Sequence, residues 1–422
     1  MSLSRFLRLA LASIWHRRGV LSLVTLTLTL SVTLLLGVQY LRSEVKDTFT
    51  RTISGTDLII GARAGQLNLL LYTVFHIGDA TNNIRWSTYE TLAADKRIDW
   101  LVPISLGDSY QGFRVVGTSK AFPEHFRYGR DHAVTVTQGA WFDDLFDVVL
   151  GADVARDLGH APGDRITLAH GTGSVSFMKH EDMPFKVSGI LAPTGTPVDR
   201  AVYISLAGME AIHVGWQSGV RIPGRTPSPD AVRERDLTPR AITAAYAGVG
   251  RKVLTFQVQR AINESALEPL SAILPGVALS ELWRLMGQFE RALVALSGFV
   301  VVTSLIGLIA VLLAIQNQRK REIAILRAVG ASPGLIAALY AVECVLLSLL
   351  ACALALIFGA ALLTALAPWL LSHWGIALSL RWPDSQEWAL LAAVPLAALI
   401  VSLAPAWRAY RGSLNEGLSA AS

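Results

Sequence analysis

Four stretches of the chain are apolar over a length that matches a bilayer. Val20–Leu41 and Ala292–Gln316 carry no charge, Leu335–Leu380 carries only Glu343, and Ala389–Trp407 completes the set. Crossing hydrocarbon as a helix takes about 20 consecutive apolar residues. The pattern therefore predicts spans over 19–41, 292–316, 335–363 and 389–407, with 364–388 as a connecting loop. Val20–Leu41 is longer than the core of a signal peptide, and no small-residue cleavage site precedes Arg42, so it reads as an anchor.

Between the first two spans the pattern changes. Short runs rich in β-branched residues, bounded by Gly, Pro or Asp, predict strands at Thr56–Ala62, Gly112–Thr118, Phe146–Ala152, Asp164–His170, Phe185–Leu191, Arg200–Ser205 and Val253–Gln259. Ser87–Asp95 reads as a helix opened by a capping box, with Ser87 as the cap and Glu90 three residues on. Ser205–His213 also reads as a helix. Arg221–Arg240, with Pro223, Pro227, Pro229 and Pro239, reads as an exposed loop. The expected fold class is an α-helical membrane protein with four transmembrane helices and a large α+β periplasmic domain, residues 42–291, inserted between helices 1 and 2.

Composition agrees with that division. The 422 residues are 52% hydrophobic and only 16% charged, too apolar for an ordinary soluble domain. Outside the spans, Arg5, Arg8, Arg17, Arg18, Arg319, Lys320, Arg321, Arg327, Arg408 and Arg411 fall on one side, opposed there by Glu322 and Glu416 alone, whereas acids and bases nearly balance over Arg42–Arg291. The positive-inside rule places the arginine-rich side in the cytoplasm and the large domain outside. The net charge of +5 thus reflects topology and points to no nucleic acid. Residues 1–18 read as an amphipathic cytoplasmic helix with Phe6, Leu7, Ile14 and Trp15 on its apolar face, suited to a membrane surface. Both cysteines, Cys344 and Cys352, lie in the third span, so the outer domain relies on its own core.

Catalytic motifs are missing from the sequence. It has no phosphate-binding G-x-x-x-x-G-K-[ST], no H-E-x-x-H and no G-x-S-x-G; Gly107–Gln111, "GDSYQ", lacks the second glycine. The chain is expected to be a non-catalytic subunit that binds no cofactor itself. Glu343 is the one carboxylate within the spans; an intramembrane carboxylate is costly and often functional, but near a helix end it also serves as an interfacial or capping group.

The segment joining spans two and three, residues 317–334, is distinctive. In "RKREIAILRAVGASPGLI" a helix-forming run carries Ile323, Leu326 and Val329 as a narrow apolar stripe, fringed by Arg319, Arg321, Glu322 and Arg327. Gly330 suits a helix C-terminus that needs positive φ, and Ser332 with Pro333 suits the start of the next helix. The segment is either a positively charged anchor with a turn or a docking element. It resembles the signature cytoplasmic segment of the MacB/FtsX-like permeases of ABC transporters. Gly139–Leu168 and Phe185–Leu206 are similar to that family's periplasmic core domain, and Pro405–Leu418 to its C-terminal end.

The resemblance implies a permease subunit of the inner membrane, multi-pass, that pairs with a second permease copy, as a homodimer or with a paralogue, and with a cytoplasmic ABC ATPase dimer. ATP and Mg²⁺ would sit on that ATPase. Coupling would pass through Arg319, Arg321, Glu322, Ile323, Leu326, Arg327 and Gly330, and Glu343 falls where family members commonly carry a glutamate. The outer domain would divide into a membrane-proximal porter-like lobe, 42–116 plus 248–286, and a distal lobe, 117–247. The 408–422 segment would be a cytoplasmic tail. Expected work is export or extraction of a lipoprotein, peptide or drug, with a periplasmic adaptor, a lipoprotein and membrane lipid as further partners. Signalling to a periplasmic partner, as in the cell-division members, and a zinc-linked transport role are the alternatives. The chain departs from MacB itself in having no fused ATPase domain, and its outer domain is larger than that of the cell-division members.

Two features of the outer domain remain open on sequence. His160, His170, His180 and His213 fall in one subdomain beside Glu181 and Asp182, residue types that suit Zn²⁺, yet the spacing matches no ligand motif and loop or packing histidines are the commoner case. His170, His180 and His213 are the candidate ligands. Gly65–Asp79 is too short to span a membrane and too apolar for an idle surface; core packing, a protein interface and contact with acyl chains all account for it.

Overall fold

In a computed structural model the described residues are 17–129, 131–171, 180, 182–217, 220–221, 228–318, 330–374 and 380–403. The predicted N-terminal amphipathic helix, the stretch Arg319–Val329 and the C-terminal segment from 404 lie outside them. The chain divides into two units: residues 1–44, 287–369 and 378–422 form one, and 45–286 with 370–377 form the other.

Among the described residues the second unit is built on one sheet of eleven strands: β1 (Leu58–Ala62), β2 (Ile98–Tyr110), β3 (Phe113–Thr118), β4 (Val136–Gly139), β5 (Asp147–Leu150), β6 (Arg165–Ile166), β7 (Ala169–His170), β8 (Phe185–Leu191), β9 (Ala201–Ser205), β10 (Ala244–Val249) and β11 (Leu270–Ile273). Their order is β11-β1-β10-β2-β3-β9-β5-β8-β4, with β7 beside β2 and β6 beside β8. Most pairs are antiparallel; β9 runs parallel to β3, and β8 parallel to β5. β2 turns into β3 through Gln111 and Gly112, both at positive φ (48° and 87°), the two-residue hairpin that matches strand twist.

The strands alternate between two buried faces, as a covered sheet requires. Along β1, Leu58 and Ile60 pack with Ile98, Val258 and Ile262, while Ile59 packs with Val102, Tyr203 and Tyr246. Along β9, Val202 and Ile204 face Val148, Leu150 and Phe185. The apolar stretch after Gly65 is a helix, α2 (Gln66–Val74), and Leu69, Leu70, Tyr72 and Val74 are buried in the second of these clusters. Core packing therefore accounts for it.

Several local expectations change. Helix α3 (Trp86–Ala93) forms, but Arg85 is its cap and no side chain caps it; Ser87 lies inside, where its carbonyl accepts from the Thr91 hydroxyl. The expected strand at Val253–Gln259 is instead the end of a 3-10 turn (Lys252–Leu254) and the start of helix α6 (Thr255–Asn263), because Thr255, Val258 and Ile262 form one buried stripe at helical spacing. The expected strand over 164–170 splits into β6 and β7, which pair with different partners. Helix α4 (Ala152–Leu158) follows β5, where Gly151 lies so close to the Asp199 carbonyl that a side chain has no room. Helix α5 (Leu206–Ile212) opens as read, with the Ser205 hydroxyl accepting from Gly208 N at 2.9 Å.

The described part of the first unit is helical. α1 (Arg18–Arg51), α7 (Pro275–Gln318) and α8 (Pro333–Trp374), whose residues 45–51, 275–286 and 370–374 belong to the second unit, each contain a segment long and apolar enough to cross a membrane. α9 (Ser385–Val401) is apolar but only 17 residues long over its described part. α1 and α7 pair antiparallel: the Ser31 and Ser304 hydroxyls are 2.7 Å apart, and Arg42 donates to Glu290 at 2.7 Å. At about 1.5 Å per residue, the 34 and 44 residues of these helices span roughly 50 and 65 Å, well beyond the ~30 Å of hydrocarbon. α8 runs past the 335–363 expected for the third span. Gly330 has φ +95°, and Ser332 Oγ accepts from Leu335 N at 3.3 Å, so the start of α8 takes the form that serine and proline imply.

Candidate functional site

The three candidate histidines converge, and they do so around an aspartate that sequence reasoning passed over. Asp108 lies on β2, with both carboxylate oxygens buried. Antiparallel pairing sets His170 of β7 directly opposite Asp108, and His170 Nδ1 is 3.3 Å from Asp108 Oδ1. His180 is anchored by its backbone, whose N–H donates to the Leu168 carbonyl at 2.9 Å; its ring Nε2 is 3.9 Å from Asp108 Oδ2. His213 ends α5, and its Nε2 lies 3.5 Å from Asp108 Oδ2 and 3.3 Å from His170 Nδ1. The three imidazole rings meet edge to face, with centroids 5.3 to 5.9 Å apart.

One proton position follows from chemistry. His213 Nδ1 lies 2.7 Å from the Met209 carbonyl, which only accepts, so Nδ1 carries a hydrogen. Neutral His213 therefore turns a bare Nε2 toward Asp108 and His170. Burial raises the Asp108 carboxyl, but His170, His213 and His180 beside it outweigh burial and hold it well below the usual carboxylate range. Burial lowers His180 to about 4 despite Asp108, keeping that ring neutral. Burial also works against a charged His213, and the carboxylate overcomes it and raises that group. One carboxylate and three imidazoles thus face a common point, where they hold either shared protons or a cation. Asp108 and His180 are sealed, while the His170 and His213 side chains are about 30% exposed and give access from solvent.

His160 stands apart from this group, with Nε2 2.9 Å from the Tyr110 hydroxyl and Nδ1 3.2 Å from Asp164. Glu181 lies outside the described residues. Spacing hid Asp108 because strand pairing, and no helical repeat, brings it to the histidines. Pro103 and Gly107 also broke the pattern of β2 as a strand.

In the helical unit a cleft of about 440 Å³ is lined by α1, α8, the segment before α9 and the first turn of α9, among them Gly37, Tyr40, Gly359, Trp382 and Trp388. Arg381 stands at it, its guanidinium 5.0 Å from the Tyr40 ring centroid and 2.9 Å from Glu387. Glu343 is buried in α8, 2% exposed. Of the expected coupling residues, Gly330 is described above; Arg319, Arg321, Glu322, Ile323, Leu326 and Arg327 lie outside the described residues.

An α+β domain carried by a set of apolar helices defines the class as a membrane protein with a large extramembrane domain. The model of the MacB-like periplasmic core domain matches residues 21–236, more than half of the chain, and that of the FtsX-like permease C-terminal region matches 294–414. The chain belongs to the MacB/FtsX-like family of ABC transporter permeases. Among solved structures, the periplasmic region of MacB from Actinobacillus actinomycetemcomitans is 12% identical with a TM-score of 0.34, over 55% of this chain and 94% of that one. The extracellular domain of the noncanonic ABC-type transporter YknZ from Gram-positive bacteria is 10% identical with a TM-score of 0.30, over 52% and 99%. No curated protein matches the chain.

Proposed function

We propose that this chain is the transmembrane subunit of an ABC exporter or extractor, in which a separate cytoplasmic ATPase dimer drives conformational change in the outer domain. On this reading four spans cross the bacterial inner membrane, 42–291 lies in the periplasm, two permease copies pair, and ATP with Mg²⁺ binds the ATPase alone. The observation that carries it is the order of the two family segments on one chain, core domain first and permease region after it, joined by α7. A continuous helix of 44 residues resists bending and carries displacement along its axis. The stripe of Ile323 and Leu326 would seat in the ATPase, with Arg319, Arg321, Glu322 and Arg327 at the rim and Gly330 closing the helix; buried anchors dominate such interfaces, and rim charges tune rate and salt dependence. The substrate class is a lipoprotein, peptide or drug handled at the outer face.

The test is co-purification. Leu326→Asp should abolish recovery of the ATPase with the permease and its stimulation of ATP hydrolysis. Arg321→Ala should weaken both modestly, and more so at high salt. An intact, active complex with Leu326→Asp would reduce the segment to an anchor with a turn.

A further inference from the structure

We infer that Asp108, His170, His180 and His213 form a binding site for a divalent transition-metal ion of the Zn²⁺ class in the outer domain. The donor atoms are an Asp108 carboxylate oxygen, His170 Nδ1, His180 Nε2 and His213 Nε2, all within 4.8 Å of one another. In a tetrahedral Zn²⁺ site with bonds of about 2.0–2.1 Å, ligand atoms stand about 3.3 Å apart. His170 Nδ1 lies 3.3 Å from His213 Nε2 and from Asp108 Oδ1, and Asp108 Oδ2 lies 3.5 Å from His213 Nε2 and 3.9 Å from His180 Nε2, so a small shift of the rings and the carboxylate brings the set to that size.

Two independent observations favour a cation over packed side chains. The first is Asp108, a fully buried carboxylate on a central strand whose oxygens accept no well-aligned hydrogen bond. A buried carboxylate of this kind requires a positive charge beside it, an imidazolium or a metal ion. The second is the tautomer of His213. A metal-bound imidazole characteristically donates its other N–H to a backbone carbonyl or carboxylate, which fixes the ring and aims the free nitrogen at the ion. His213 has that arrangement through Met209. The donor set, three imidazoles and one carboxylate, selects Zn²⁺, Co²⁺, Ni²⁺ or Cu²⁺ over Mg²⁺ and Ca²⁺, which take oxygen ligands. Bound metal would tie β2, β7, the chain at His180 and the end of α5 to one point. It would thereby cross-link segments of the outer domain that are far apart in sequence.

This inference does not rest on the transport reading, so it is tested without the ATPase. The full chain in detergent, stripped with a chelator, is titrated with Zn²⁺ alone, and bound metal is counted by elemental analysis. Expected are one Zn²⁺ per chain, a rise in melting temperature with Zn²⁺, and the intense visible absorption of four-coordinate Co²⁺ on substitution. His170→Gln and His213→Gln, at the two partly exposed positions, should each weaken binding at least about tenfold, in the range typical of disturbed metal sites. Together they should abolish the stoichiometric ion. His160→Gln, outside the cluster, should leave it intact. A wild-type chain that takes up no Zn²⁺ beyond the level of the double variant, or whose melting temperature and Co²⁺ spectrum do not respond to it, overturns the site and leaves a proton-sharing cluster. Because that outcome is read on the wild type, it stands even if a variant fails to fold.

Discussion

The two units solve the same problem, buried polar groups, in opposite ways. In the helical unit the threonine hydroxyls turn back on their own helix. Thr25 donates to the Leu21 carbonyl, Thr29 to Thr25 and Thr33 to Thr29, each at 2.8 Å. In the outer domain the same groups reach across the fold. The Thr243 hydroxyl accepts from Leu106 N at 2.9 Å, the Tyr246 hydroxyl donates to the Thr73 carbonyl at 2.7 Å, and Asn263 accepts from Ala272 N at 2.6 Å. A chain destined for lipid must satisfy each segment locally, because hydrocarbon supplies no partner. A domain folding in water gains specificity from long-range polar contacts and can hold a buried carboxylate such as Asp108. Apolar surface divides the same way. Leu23, Leu26, Leu30 and Leu34 of α1 and Leu293, Leu296 and Phe299 of α7 are exposed, surface that suits lipid or a second copy.

The sharpest break in that comparison is a matched pair of truncations. Phe185→Ala in the outer core, where Phe185 is fully buried, should cost about 3–5 kcal/mol. Leu296→Ala, 59% exposed on α7, should change the stability of the detergent-solubilised chain little. Chemical denaturation of both variants checks the contrast, and equal losses would mean that the exposed face of α7 is covered. Next come the hydroxyls. Thr243→Val leaves Leu106 N without its acceptor and should cost about 1–3 kcal/mol, whereas Thr29→Val should fall within about 0.5 kcal/mol. A similar cost for both would show that α1 uses its threonines between helices.

A smaller effect tests the start of α9. Asp384 accepts from Glu387 N, and Glu387 accepts from Asp384 N, both at 2.8 Å, a reciprocal capping box. Asp384→Ala should lower stability by about 1 kcal/mol, seen as a lower melting temperature. The smallest is a pH effect. Burial, then the nearby Arg114 guanidinium, lowers His76 to about 4. The unfolded chain therefore binds more protons between pH 6.5 and 4 than the folded one. Stability is fully present above pH 6.5 and declines as pH falls toward 4. Because the His76 side chain is partly solvent-exposed, the loss should be about 1 kcal/mol or less. His76→Asn, which tolerates the positive φ of 56°, should flatten that slope in pH-dependent denaturation; an unchanged slope would assign it to other groups.

Much of the outer domain was legible as strands, since Leu58–Ala62, Phe113–Thr118 and Phe185–Leu191 are rich in β-branched residues between Gly, Pro and Asp boundaries. The misreadings share one cause. Val253–Gln259 has the β-branched composition of a strand, but the buried stripe of Thr255, Val258 and Ile262 has the period of a helix, and packing decided for the helix. Ser87 and Glu90 have the spacing of a capping box, yet the cap falls two residues earlier, at Arg85, straight from a short strand pairing. For the candidate site the histidines were visible as residue types while their carboxylate was not.

What the sequence determined alone was whatever depends on neighbours along the chain. Apolar run length set the long helices, arginine placement set the expected orientation, and Gly330, Ser332 and Pro333 set the break before α8, because hydrophobicity, charge and backbone torsion act locally. Tertiary structure decided whatever depends on residues distant in sequence. It chose between helix and strand at Thr255–Asn263, buried α2 in the core, and used the register of β2 and β7 to set His170 opposite Asp108. Strand pairing aligns residues by position in a sheet, and no local pattern records which partner a strand will meet.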